Sequence, residues 1–431
     1  MAGPEPAATP QPLVTIVTPS FEQARFLPAA IESVACQGRA DIEHIVIDGG
    51  SRDGSVEILR RWDGRIRWLS EPDQGQADAL NKGFRMARGE ILAWINADDI
   101  LLPGAVDAAV EAFRADPHLG LVYGQGYTID EEGRLLEPFA LAEPFNLRRL
   151  IHFGDTILQQ TAFFRRSAFE AVGGLDKNLH WTLDWDLFIR LGERFPAQLL
   201  DREMGAIRLH GETKTSTGGL RRVREIRAML ARHAGGARTA AYWGAWLDAW
   251  NSLLEGVCAE RLPGPLRGLG RRIVVNAHDW AARRIFPRME ECCGWLHDGW
   301  ATRRVDLLLP RLGGGFIEID GEQPPGGGEL RLLLDGRELW REAPEPGPFQ
   351  RRIAVPDSGA EAVGPLAFRI EADTTVRTRA RLHGGLQELS WRLRRVTLDT
   401  PRGRQETPPP RLLLSPDMES VEIPPATEPI Q

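Results

Sequence analysis

The sequence predicts an α/β domain on a mostly parallel sheet with helices on both faces, then a helical segment, then an all-β sandwich. Three observations carry that prediction. Between residues 13 and 123, short β-branched runs alternate with stretches of helical period, the pattern of a parallel sheet covered on both faces. A basic, tryptophan-rich segment without that alternation follows at 217–304. From Val305 the apolar period becomes two, with Gly/Pro turns between short runs, the pattern of a sandwich.

Length and composition fit that organisation. A chain of 431 residues is long for one domain. It is 42% hydrophobic and 26% charged, ordinary for a chain that builds a core, and its net charge of −7 carries no nucleic-acid signature. Cys36, Cys258, Cys292 and Cys293 show no metal spacing and read as reduced thiols. Residues 1–11 are Ala/Pro-rich without a basic or apolar region, and read as a disordered lead. No run of about 18 apolar residues suggests a membrane span.

Taken in order, 13–17 is a β-branched strand ending in Thr18-Pro19-Ser20, followed by a helix with Phe26, Leu27, Ala30, Ile31 and Val34 on one face. The second strand, 42–47, ends in Asp48 and a glycine-rich turn through Gly54, where Ser55 can cap the next helix. The third, 66–69, leads through Asp73 into a helix with Ala77, Leu80, Phe84 and Ala87 inward. The fourth, 91–95, is apolar and runs into Asn96-Ala97-Asp98-Asp99. A helix at 104–115 and a fifth strand at 119–123 follow. Three strand ends therefore carry carboxylates: Asp48, Asp73 and the Asp98/Asp99 pair. In open α/β sheets ligands bind at the carboxyl ends of strands. Adjacent acids repel, and a divalent cation such as Mg²⁺ or Mn²⁺ bridging to phosphates relieves that repulsion. For Asp48 and Asp53, turn chemistry is the competing explanation.

The stretch 14–99 resembles the family 2 glycosyltransferases in five pieces: Val14-Thr15-Ile16-Val17-Thr18-Pro19-Ser20-Phe21, Asp48-Gly49-Gly50-Ser51-Arg52-Asp53-Gly54, Glu71-Pro72-Asp73-Gln74-Gly75, Ala79-Leu80-Asn81-Lys82-Gly83 and Asn96-Ala97-Asp98-Asp99. Glu22 stands where that family often has asparagine. The resemblance implies the Rossmann-like GT-A fold and an inverting, metal-dependent, hexosyltransferase-like enzyme using a UDP-, GDP- or dTDP-sugar. It implies a donor-binding set of Thr18, Pro19, Ser20, Asp48, Asp73, Asn81, Asp98, His210 and Lys214, and Mn²⁺ or Mg²⁺ on Asp99 and Asp98. Further on, Asp184 and Asp186 open a helix whose core face is Leu187, Phe188 and Leu191. Carboxylates are favoured at that end by the helix dipole. The resemblance makes Asp184 the catalytic base and Asp186 a supporting acid.

Residues 217–304 hold 15 Arg, no Lys and 8 Asp or Glu, a net charge of +7, and six tryptophans. Helical spacing puts Trp243, Trp246 and Trp250 on one face. The plain reading is an amphipathic helix packed on the catalytic domain. The sharper one is a peripheral membrane surface, with Trp at the interface and Arg toward anionic lipid. The expected layout is a lead at 1–11, a catalytic domain at 12–216, the helical segment at 217–304, the sandwich at 305–400 and a Pro-rich disordered tail at 401–431. The functional expectation is sugar transfer to a glycan or lipid-linked acceptor in surface polysaccharide synthesis, at the cell envelope, by a cytoplasmic protein in peripheral contact with the inner face of a membrane. Two rivals are a non-catalytic glycan-binding protein and a nucleotidyltransferase. The latter lacks a basic Gly-rich phosphate loop after the first strand.

Overall fold

The computed structural model describes residues 12–139, 142–211, 214, 218–234, 239–261, 272–275, 277, 300–301, 304–356, 365–373, 377–382, 385–389 and 391–407. The lead, the tail beyond Thr407, and Trp280, Trp295, Cys292 and Cys293 lie outside them.

The first half is one mixed sheet. Strands β1 (Val14–Ser20), β2 (Ile42–Asp48), β3 (Arg67–Ser70) and β4 (Ile91–Trp94) pair in parallel in the order β3-β2-β1-β4. The short β5 (Ile100–Leu101) follows. The long β6 (Leu121–Ile129) carries the hairpin strand β7 (Leu135–Pro138) and pairs in parallel with β9 (Ala197–Arg208). Between β4 and β6 lies β8 (Phe163–Arg165), antiparallel to both. The sequence reading expects a run of parallel strands here; an apolar run carries no sign of its direction, so the antiparallel insertion was not legible.

The strands bury both faces by alternation. Val17, Ile45, Ile47, Leu92, Trp94, Leu121, Tyr123 and Phe164 join one core, whereas Ile16, Ile91, Ala93, Ile95, Val122 and Phe163 join a second on the opposite face. Helices α1 (Leu27–Ala35), α2 (Ser55–Arg61) and α4 (Ala105–Ala115) cover that second face. Helices α3 (Gln76–Met86), α5 (Leu147–His152), α6 (Arg166–Ala171), α7 (Leu183–Arg194) and α8 (Gly219–His233) cover the first. Trp94, 1% exposed, sits among Phe84, Phe164 and Phe188. Truncating such an indole to alanine costs about 3–5 kcal/mol. It thereby fixes the strand end from which Asn96–Asp99 project.

Helix α8 buries Val223, Ile226, Met229 and Leu230, the last three in the first core. Helix α9 (Ala240–Arg261) is different. Trp243, Trp250, Leu253, Leu254 and Val257 are exposed along it, and Trp246 links Trp243 to Trp250 through ring contacts.

The C-terminal part is a two-sheet sandwich. One sheet orders β10 (Trp300–Ala301), β19 (Trp391–Thr400), β12 (Gly315–Gln323) and β15 (Gly347–Val355). The other orders β11 (Arg304–Leu309), β16 (Leu366–Ala372), β13 (Leu330–Leu334) and β14 (Arg337–Glu342). A separate hairpin pairs β17 (Arg377–Leu382) with β18 (Gly385–Leu389). Alternate residues such as Leu307, Ile319, Leu332, Phe368 and Val396 fill the interior. Asp335 and Gly336 turn the β13–β14 hairpin at positive φ, as expected of that pair. One boundary is corrected. Gly403–Thr407 forms β20 on β19, inside the range read as a disordered tail. Its inward residues are Gly403, Gln405 and Thr407, so apolar periodicity gives no signal there.

Candidate active site

A cleft of about 820 Å³ opens at the carboxyl ends of β1, β2, β3 and β4. Its floor is Pro19, Ser20, Gly49, Asp73 and the Asn96–Asp99 turn, and Phe21 stands 60% exposed at its rim. The opposite wall comes from Asp155, residues 157–160, residues 180–185, Arg208, Lys214 and Arg222. Gly49 is required by space: a Cβ there would meet Asp73 Oδ2 at 2.8 Å and Phe21 at 3.1 Å.

The acid pair divides into an inner and an outer carboxylate. Asp99 is 3% exposed. Its Oδ2 accepts from Gln160 Nε2 (2.5 Å) and Asn96 Nδ2 (2.9 Å), and its Oδ1 from the Arg208 amide (2.9 Å). Burial, and then the Asp98 charge, push its pKa up to about 7. Asp98 is the outer acid, and its Oδ2 lies 3.0 Å from His210 Nε2. Among the described residues no group of three or more His, Cys, Asp or Glu is placed to hold a metal by itself. Asp98 and His210 offer two donors, so a hard cation there would take most of its shell from water and phosphate oxygens. That cation would also offset the Asp98 charge, which adds to burial in raising Asp99.

On the far wall, Asp184 opens α7 and its Oδ1 accepts the Trp185 amide (2.8 Å). The helix end favours its charge, but burial outweighs that and raises its pKa above the ordinary carboxylate value. Asp155 faces the same cleft and is raised well above its usual value, by burial first and the Asp184 charge second. The cations beside them on this wall are Lys214 and Arg222. Burial lowers the Lys214 ammonium to about 8, against the pull of Asp184 and Glu225. Its Nζ donates to Gln76 Oε1 (2.8 Å). Trp181 donates its indole N–H to the Lys214 carbonyl (3.2 Å), so its polar edge is engaged while the ring lines the cleft.

Comparison with known proteins identifies the family. The model described as glycosyl transferase family 2 matches residues 15–173. An uncharacterized glycosyltransferase of Mycobacterium tuberculosis is 31% identical over 227 residues, which cover 51% of this chain and 85% of the relative. The chain belongs to the family 2 glycosyltransferases. A PGL/p-HBAD biosynthesis glycosyltransferase of Mycobacterium bovis is 32% identical over 184 residues, covering 42% of this chain and 69% of that one. The chondroitin synthase of Escherichia coli is 28% identical over 204 residues, covering 47% of this chain but only 29% of that protein. Among solved structures, S. aureus TarS 1-349 in complex with UDP-GlcNAc overlays with a TM-score of 0.43 at 14% identity, covering 63% of this chain and 82% of that one.

Within this family 2 glycosyltransferase, the sequence-expected residues separate into three groups. Pro19, Ser20, Asp73, Asp98, Asp99, Asp184 and Lys214 line the cleft, and His210 joins it through Asp98. Thr18, Asp48 and Asn81 do not reach it. The Thr18 side chain is fully buried, 2.8 Å from His44 Nε2. Asp48 accepts from the Gly50 and Ser51 amides and from the Ser51 and Ser70 hydroxyls, so turn chemistry occupies it. Asn81 exchanges two hydrogen bonds with the Leu175 backbone. Asp186 also turns away: it is 1% exposed and binds Arg190 and His233. Sequence reasoning missed Asp155, Gln160, Arg208 and Arg222. None belongs to a motif, and chain separations of 61 residues for Gln160 and 109 for Arg208 bring two of them to Asp99.

Proposed function

We propose that this family 2 glycosyltransferase moves a hexosyl group, with inversion, from a nucleoside diphosphate donor to a hydroxyl of a glycan or lipid-linked acceptor in surface polysaccharide synthesis. The observation that carries this reading is one cleft with two chemically distinct ends. Pro19, Ser20, Phe21 and Asp73 offer a shelf for a nucleoside, beside the Asp98–His210 pair. Asp184 stands on the wall opposite. A cleft of that size takes a nucleotide sugar.

In this reading Asp98 and His210, with Asp99 behind them, would hold Mn²⁺ or Mg²⁺, which supplies positive charge to the departing diphosphate. Lys214 adds a cation from the protein. Asp184 takes the acceptor hydroxyl proton as the acceptor oxygen bonds to the anomeric carbon from the face opposite the diphosphate. The glycosidic C–O bond to phosphate breaks with its electron pair leaving on the diphosphate. A raised carboxyl pKa makes Asp184 a stronger base when ionised. UDP-, GDP- and dTDP-hexoses are the donor candidates. The exposed tryptophan stripe of α9 supports peripheral contact with the inner face of a membrane, where a lipid-linked acceptor would lie. Among the described residues no helix is long and apolar enough to cross one.

The test is a screen of UDP-, GDP- and dTDP-hexoses with Mn²⁺ for product release. Free nucleoside diphosphate is the expected product. Pyrophosphate would instead indicate nucleotidyl transfer. No release from any donor, together with glycan binding, would leave a binding protein.

A further inference from the structure

The element holding the catalytic end of α7 is a carboxylate from another helix. Thr182, the residue before α7, makes no side-chain cap to its own helix. The backbone N–H groups of His180 (2.9 Å), Trp181 (2.6 Å) and Thr182 (2.9 Å), and the Thr182 hydroxyl (3.0 Å), all donate to Glu225 of α8. Three amides on one carboxylate form a charge-assisted nest, stronger than neutral pairing. The same helix grips the segment elsewhere. Arg232 donates to Asp176 (2.9 Å), and His233 Nε2 lies 3.1 Å from Asp186 Oδ1. One turn before Glu225, Arg222 lines the cleft near Asp155 and Asp184.

We propose that Glu225 is a positioning residue for the acceptor side: its carboxylate fixes the His180–Trp181–Thr182 turn, and so sets where Trp181 and Asp184 stand in the cleft. The role of Asp184 as base is taken from the proposed function; the clamp on the turn is independent of it. Helix α8 then belongs to the catalytic apparatus, although it lies in the basic segment 217–304, outside the range expected for the catalytic domain. Donor groups on the sheet side, Asp73 and Asp98, are untouched by this clamp.

The experiment uses the full chain and Glu225→Ala and Glu225→Gln. Hydrogen exchange reads the clamp without activity. In Glu225→Ala the amides of Trp181 and Thr182 should lose protection at least ten-fold, while those of Phe188 to Leu191 keep theirs. Unchanged protection at 180–182 overturns the proposal, whatever the enzyme does. Kinetics read the role, with p-nitrophenyl hexosides as acceptor and the hexose donor that releases nucleoside diphosphate. Glu225→Ala should lower kcat at least ten-fold and raise acceptor KM at least five-fold. Donor-binding stoichiometry should stay within two-fold, and Glu225→Gln should recover part of the loss. In the Asp184→Asn background, Glu225→Ala should add less than three-fold to the kcat loss, because it acts through the base. If kcat falls only in proportion to donor-binding stoichiometry with acceptor KM unchanged, Glu225 merely stabilises the fold and the positioning role is overturned. If exchange responds as expected but Asp184→Asn keeps full turnover, the base assignment fails and the clamp stands.

Discussion

Glu22 shows how a single position carries both local strain and loop order. Its φ of 53° lies in the left-handed region, where asparagine is tolerated better than most residues. That accounts physically for the family's asparagine there. Glutamate compensates by accepting the Arg52 amide on Oε1 (3.0 Å), while its own amide donates to Ser51 (2.8 Å). Under the proposed function Asp184 is the residue that takes the acceptor proton. Asp184→Asn keeps the size and can still accept the Trp185 amide, but cannot take a proton. Transfer should fall about 10²-fold or more, with donor affinity near wild type; separate measurements of donor binding and turnover check this. Loss of donor binding with normal turnover at saturation would move Asp184 to the donor site. At this scale the sequence showed which acids were present but not what they faced. Asp48 and Asp184 look equally functional in one dimension. Only the fold reveals that Asp48 is filled by its own loop, while Asp184 has one amide partner and open cleft before it.

Between elements, the α7–α8 contact has a pH signature. His233 has its pKa raised: burial works to lower it, but the bonds to Asp186 and Glu193 outweigh burial. A histidine whose folded pKa exceeds its unfolded value adds stability that is full below about 6.5 and lost as pH rises through the folded value. The melting temperature of the wild type should therefore fall from pH 6 to pH 8 more steeply than that of His233→Gln. Parallel thermal melts compare the two, and equal slopes would assign the pair no net coupling. The α9 helix makes a second prediction. If its exposed stripe meets lipid, the protein should co-sediment with vesicles containing phosphatidylserine, and Trp243→Ala with Trp250→Ala should reduce that several-fold. Replacing the exposed Arg221, Arg224 and Arg227 should remove the salt sensitivity of binding. Equal recovery on neutral and anionic vesicles, or on neither, would refute the lipid assignment. Tryptophan spacing made this face legible in advance. The clamp on helix α8 was not legible, because Glu225 is one carboxylate in a basic run and its partners lie more than forty residues earlier.

Over the whole molecule, the sandwich is fastened to the catalytic unit rather than trailing from it. The Ala197 amide, at the start of β9, donates to Gln405 Oε1 of β20 (2.8 Å), and the Arg311 amide donates to the Glu193 carbonyl at the end of α7 (3.1 Å). Gly403 lies so close to Pro196 that a Cβ there would come within 2.5 Å of its ring. Gln405→Leu would leave the Ala197 amide buried without its acceptor, a loss of about 1–3 kcal/mol. The melting temperature should drop while kcat per folded molecule holds. A fall in kcat without a thermal shift would instead tie the sandwich directly to turnover. The alternation of strands and helices, and the later change to period two, announced both units. The joint between them was silent: Gly403, Gln405 and backbone groups leave no periodic trace, and Leu308 of β11, which packs on the first core, sits in an apolar run that reads only as a strand.

That fastening has a consequence for the newborn chain. The acceptor for Ala197 is 208 residues further along. At about 5–20 residues per second of synthesis, β9 emerges and pairs some 10–40 s before Gln405 exists. During that interval the edge beside Pro196 is open and its amide is served by water. The catalytic unit is therefore synthesised before the strand that covers this edge. A ribosome stalled just before β20 would hold it in that state.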